Sequence, residues 1–67
     1  MSIGTVVSIR SGRHFRNGNN TTLYIKLKNK AVYRYPSFLT EEQRQTVVEV
    51  IKANNRRVPL RDWEKVQ

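Results

Sequence analysis

The stretch TLYIKLKNKAVYRY, residues 22–35, sets three tyrosines among four cations: Tyr24, Lys26, Lys28, Lys30, Tyr33, Arg34 and Tyr35. Ammonium and guanidinium groups neutralise phosphates and release condensed counterions, which gives salt-dependent affinity without reading sequence. Tyrosine rings exposed on a sheet supply planes on which unpaired bases stack, at about 1–3 kcal/mol per base. Just upstream, RSGRHFRNGNN (residues 10–20) interleaves Arg10, Arg13 and Arg16 with His14 and Phe15. Arginines and aromatics in a polar loop suit the same partner, because such loops often order only on binding. Arg56 and Arg57 join this candidate nucleic-acid-binding set if the chain returns them to the same side. The plain alternative is a solvated basic surface, with Phe15 folded back as a loop anchor.

The inventory offers little for catalysis. His14 is the only histidine, its nearest charged neighbours are arginines, and no carboxylate lies within 25 residues of it. The five acids, Glu41, Glu42, Glu49, Asp62 and Glu64, are spread over a helix start, a helix surface and the C-terminal segment, so no paired-carboxylate or two-metal arrangement is suggested. Without cysteine there is no thiolate nucleophile, disulfide or thiolate zinc site. The expectation is a non-enzyme with no cofactor and no metal.

Charge is segregated as well as abundant. Net charge is +8, yet residues 1–40 carry seven cations and no acid, and all five acids lie between Glu41 and Glu64. Solubility requires no such segregation; a one-sided positive field favours polyanionic partners. No apolar run approaches the roughly 18 residues of a membrane span, and the N-terminus lacks the pattern of a secretory signal. The sequence therefore reads as soluble, cytoplasmic and not membrane-bound.

Sixty-seven residues fit a single domain, residues 1–67, and a chain this short buries only about 60% of its unfolded surface. The elements that must position the cations begin with a β-branched strand over Ile3–Ile9, whose apolar side is Ile3, Val7 and Ile9. Gly12 and Asn17-Gly18 are turn positions in the long loop that follows. Residues 22–35 alternate with a period of two about Asn29-Lys30, the pattern of a hairpin. A two-residue turn there pairs Leu27 with Val32, Lys26 with Tyr33 and Tyr24 with Tyr35. It places Leu23, Ile25, Leu27 and Val32 inside and all three tyrosines outside. A three-residue loop instead turns Tyr33 and Tyr35 inward as ordinary core residues, because a one-residue slip reverses every side chain of a strand. Asn-Lys is a poorer turn pair than Asn-Gly, so both registers stay open.

Pro36 ends the third strand. Thr40-Glu41-Glu42-Gln43 has the form of a capping box and starts a helix over Glu41 to about Asn54, with Asn54 or Asn55 as a left-handed cap. Val47, Val48 and Ile51 make its inner stripe, with Arg44 between them and Val50 on the flank. With two glutamates in its first turn it is a poor recognition helix for a major groove. Val58 and Leu60 suit a short edge segment around Pro59, and Trp63, the sole tryptophan, either closes the core or stands exposed as a stacking or partner-binding residue, with core closure the commoner role.

Residues 22–51 resemble the KTSC domain, a short β-β-α unit found alone in bacteria and phages and appended to some lysyl-tRNA synthetases. The resemblance rests on Leu23, Ile25, Leu27, Val32, Tyr33 and Tyr35, and it implies RNA association. After the helix this chain departs from the family, with NNRRVPLRDW in place of its Ser-Gly and Phe-Asn signature.

The expected fold is α+β: a small antiparallel sheet of three or more strands packed against one α-helix, with a short C-terminal extended segment. The expected function is a nucleic-acid-binding module favouring single strands or RNA, using Arg10, Arg13, Arg16, Tyr24, Lys26, Lys28, Lys30, Tyr33, Arg34, Tyr35, Arg56 and Arg57. The alternative is a small phage- or plasmid-type adaptor or inhibitor docking on an acidic protein partner. A strand edge offers a route to a homodimer.

Overall fold

The structure, a computed structural model, describes residues 2–13 and 20–66. Three strands come first, β1 (Ile3–Arg13), β2 (Thr21–Leu27) and β3 (Val32–Arg34), followed by one helix, α1 (Glu41–Ala53). Two short strands, β4 (Arg57–Pro59) and β5 (Glu64–Lys65), flank a single 3-10 turn over Leu60–Asp62. All five strands form one curled antiparallel sheet in the order β4-β1-β2-β3-β5. The fold is thus α+β, with α1 carrying the chain from β3 across to the opposite edge. Val6, Leu23, Ile25, Leu27, Leu39, Ile51, Val58 and Trp63 form the buried core inside the curl.

Two irregularities decide which side chains reach that core. β1 runs on to Arg13, so Gly12 belongs to a strand rather than a turn. Its inner face is Gly4, Val6 and Ile9, whereas Ile3 and Val7 are 65% and 48% exposed. The pairing steps from Val6↔Leu27 to Ser8↔Lys26, which leaves Val7 as the extra residue of a β-bulge. In a regular strand Val6 and Ile9 would face opposite ways; the bulge brings both inside. Gly4 is there because a Cβ would come within 2.7 Å of Leu27 Cδ1 and 2.9 Å of Leu60 Cδ2. Of the expected set Ile3, Val7 and Ile9, Ile9 is inside and Ile3 and Val7 are not, because apolar alternation registers neither an inward glycine nor a bulge.

The second irregularity is the hairpin turn, which has three residues. Leu27 N–H donates to Ala31 C=O at 2.8 Å, and Lys30 N–H donates to Leu27 C=O at 2.9 Å. Lys30 takes a left-handed φ of 73°, the conformation that a type I turn with a following bulge requires at its third position. Asn29 Oδ1 accepts from Ala31 N–H at 3.0 Å and fixes the turn. Tyr24 therefore pairs with Arg34, Ile25 with Tyr33 and Lys26 with Val32. Tyr33 and Tyr35 pack against the core, and Val32 moves to the outer face beside Lys26.

Both helix ends are closed as the sequence predicts. Thr40 Oγ1 accepts from Gln43 N–H at 3.2 Å while Gln43 Oε1 accepts from Thr40 N–H at 3.0 Å, a complete capping box. At the other end Asn54 is the cap, Asn55 is left-handed at φ 58°, and Arg56 N–H reaches back to Ile51 C=O at 2.8 Å. Together with Asn55 N–H on Lys52 C=O this is a Schellman motif. Ile51 is buried, Val47 and Val48 are half-buried, and Val50 is exposed. Trp63 is buried with its ring edge-on to Tyr35, the centroids 5.2 Å apart at 84°.

Substitutions at neighbouring positions of β1 separate the two patterns. Gly4→Val costs about 1–3 kcal/mol by overpacking against Leu27 and Leu60. Ile3→Thr stays within about 0.5 kcal/mol, as a surface change does. Urea unfolding of the two variants checks both; a costlier Ile3→Thr would put Ile3 in the core instead.

Candidate nucleic-acid interface

On the outer face of the sheet, the pairings Arg10↔Tyr24 and Tyr24↔Arg34 place one tyrosine between two arginines, each on an adjacent strand. The row below it is Ser8, Lys26 and Val32, with Val66 beside Val32 through its N–H to Val32 C=O at 2.7 Å. Above it lie Gly12 and Thr22. A Cβ on Gly12 would stand 4.0 Å from Tyr24 Cε2, so the half-buried ring leans over the bare backbone of Gly12. The shallow concavities to either side of Tyr24 are bounded by Arg10 and Lys26 on one side and by Arg34, Pro36 and Phe38 on the other.

The two arginines of this row differ electrically. Arg34 Nη2 meets Glu64 Oε2 at 2.6 Å. The hydrogen bond to Glu64 and then its charge, with a smaller contribution from Tyr24, raise the Arg34 pKa above the ordinary arginine value and keep it protonated. Much of its field is thereby spent locally. Among the described residues neither Arg10 nor Lys26 is in an ion pair, so these two present the free positive charge beside Tyr24. Lys28 and Lys30, exposed in the hairpin turn, extend it along the strand direction.

Other expected members lie elsewhere. Tyr33 and Tyr35 are on the inner face, and their assignment as stacking planes is corrected by the three-residue turn. Arg57 sits on β4 opposite Thr5, at the far edge of the sheet from Arg34. Arg56 lines a separate groove between α1 and the β1 bulge, so it does not join the Tyr24 row. Arg13 closes β1 opposite Thr21. Arg16, His14, Phe15 and the Asn17-Gly18 turn lie outside the described residues, as does the Arg13 side chain.

Sequence reasoning missed Glu64 as the partner of Arg34. β5 is two residues long and carries no alternation from which its pairing could be read. Arg44 is similar in kind: it is ion-paired with Glu41 on α1, with Nε donating to Glu41 Oε2 at 3.1 Å, and this raises its pKa. Among the described residues no three metal-ligating side chains cluster, and no helix is long and apolar enough to cross a membrane.

Two substitutions test this assignment of faces. Tyr35→Ala destabilises the protein by at least ~1 kcal/mol through loss of the edge-on contact with Trp63, read as a lower urea midpoint. Glu64→Gln leaves stability nearly unchanged and strengthens retention on an anion column such as heparin by releasing Arg34. Compared with known proteins, the chain matches no family model, no curated protein and no solved structure.

Proposed function

We propose that this protein is a non-catalytic module that binds single-stranded nucleic acid or RNA on the outer face of β1, β2 and β3. The observation that carries this reading is the Arg10, Tyr24, Arg34 row. The Tyr24 ring, beside the bare backbone of Gly12, offers a plane to an unpaired base, while cations on both flanks meet the phosphates on either side of that base. Lys26 in the next row and Lys28 and Lys30 in the turn continue the phosphate track. The segregation of charge points the same way, because every cation in this set belongs to the acid-free residues 1–40. Likeness of residues 22–51 to the KTSC unit implies RNA among the candidate strands. Helix α1 offers no competing recognition surface, since Glu41 and Glu42 stand in its first turn.

The adaptor reading uses the same cations as anchors on an acidic protein surface. The inward turn of Tyr33 and Tyr35 favours keeping it in view, because it removes two stacking planes from the nucleic-acid reading and nothing from the adaptor one.

Fluorescence-anisotropy titration against labelled single-stranded RNA, single-stranded DNA and duplex DNA at two salt concentrations separates them. The expected result is binding that weakens steeply with salt, with single strands preferred. Tyr24→Ala costs about 1–3 kcal/mol for single strands. Arg10→Ala weakens binding evenly across sequences and lowers the salt slope by about 1. Absence of binding at low salt, or an unchanged affinity in Tyr24→Ala with its fold intact, overturns the proposal and leaves the acidic protein partner.

A further inference from the structure

β4 covers only the first part of the outer edge of β1. Its pairs are Ile3↔Pro59, Gly4↔Val58 and Thr5↔Arg57, and one further bond joins Val6 N–H to Arg56 C=O at 2.7 Å. From Ser8 to Arg13, among the described residues, β1 is paired on its β2 side alone. Which of its backbone groups face outward follows from β2. Leu27 N–H donates to Ala31 C=O, and Leu23 C=O accepts from Tyr35 N–H, so Leu23 and Leu27 direct their backbone groups toward β3. Alternation then turns Tyr24 and Lys26 toward β1, where they meet Arg10 and Ser8. The N–H and C=O of Ile9 and Ser11 are left directed off the open edge, and no described residue bonds to them there.

Helix α1, which packs on β2 and β4, lines a groove along this part of β1. Arg44, Val48 and Lys52, each four residues after the last, form one stripe of the helix toward the bulge. With Arg56 they bound a groove whose other wall is Val6, Val7, Ser8 and Ile9. Val48 and Ile9 are half-buried and make it partly apolar. Of the three cations, Arg44 is tied to Glu41, while Lys52 and Arg56 have no ion pair among the described residues. No carboxylate lines the groove.

We infer that this groove takes an extended acidic peptide from a protein partner, which adds to β1 as a further strand between the sheet edge and α1. The occupant must offer both donors and acceptors at strand spacing to Ile9 and Ser11, which a polypeptide does and a phosphodiester backbone, rich in acceptors, does not. It must be acidic to match Lys52 and Arg56. A second copy of this chain fits poorly, since each copy carries +8. The chain's own residues 14–19 carry Arg16 and no carboxylate, so they lack the charge as well. The inference rests on the backbone edge and α1, not on the Tyr24 row, and it stands or falls separately from nucleic-acid binding.

The test uses a fluorescein-labelled peptide of alternating valine and glutamate, about six residues long, an ordinary strand length. Binding is read by anisotropy at low salt, and amide exchange of the isotope-labelled protein is followed by NMR with and without the peptide. The expected result is saturable binding that slows exchange at Ile9 and Ser11. Ser11→Pro, which removes an outward N–H and leaves the β2 side intact, weakens the peptide about tenfold or more. A double variant, Lys52→Glu with Arg56→Glu, does the same and serves if Ser11→Pro does not fold. Failure to bind overturns the inference. So does binding that leaves exchange at Ile9 and Ser11 unchanged, which would mark a purely electrostatic contact, or slowing of those two amides by single-stranded RNA and not by the peptide.

Discussion

Side chains on a strand alternate between two faces, so membership of the core is a matter of counting along the chain, and here the count is reset twice. The bulge at Val7 lets Val6 and Ile9 share a face, and the left-handed Lys30 in a three-residue turn swings Tyr33 and Tyr35 inward. The rest of the architecture depends on these two resets. With Tyr35 inside, Trp63 has a ring to meet, and the two pack edge to face within the core. With Val32 displaced outward, Lys26 gains a partly apolar neighbour in place of the tyrosine that the other register would supply.

The outer face is accordingly simpler than the composition suggests. One tyrosine, not three, stands among its cations, with its ring close to the bare backbone of a glycine on the neighbouring strand. A tyrosine ring is suited to stacking, because its few side-chain torsions leave little freedom to be lost when a second plane arrives. The price is capacity: a single plane reads no order of bases. Charge is also graded across the row, from Arg10, which has no ion pair among the described residues, to the Glu64-bound Arg34, which gives the face a direction.

What could be read in the sequence was whatever depends on local chemistry. The capping box at Thr40 and Gln43, the left-handed Asn55, the stop at Pro36 and the enclosed Trp63 are set by groups within a few residues of one another or by bulk, and each is found where expected. The α+β class followed from the change of period at Thr40. What could not be read was set by distant partners. Gly4 is an inward position only because Leu27 and Leu60 crowd it. Glu64 is a partner of Arg34 only because a two-residue strand lands beside β3. The hairpin register hangs on one residue adopting a positive φ that lysine seldom takes, so the sequence is compatible with two registers and the structure has the three-residue loop.

The 3-10 turn at Leu60–Asp62 joins β4 and β5, which lie on opposite edges of the sheet. Residues 57–65 thus complete both borders, and both of their pairings are with strands from the first half of the chain. During synthesis these residues leave the ribosome after everything they bind. A nascent chain that has reached only α1 carries two unsatisfied borders and a Tyr35 ring without Trp63, a state prone to edge-to-edge association. Ribosome-stalled chains of graded length should therefore gain protease resistance in one step once residue 65 has cleared the exit tunnel, rather than gradually as each strand emerges.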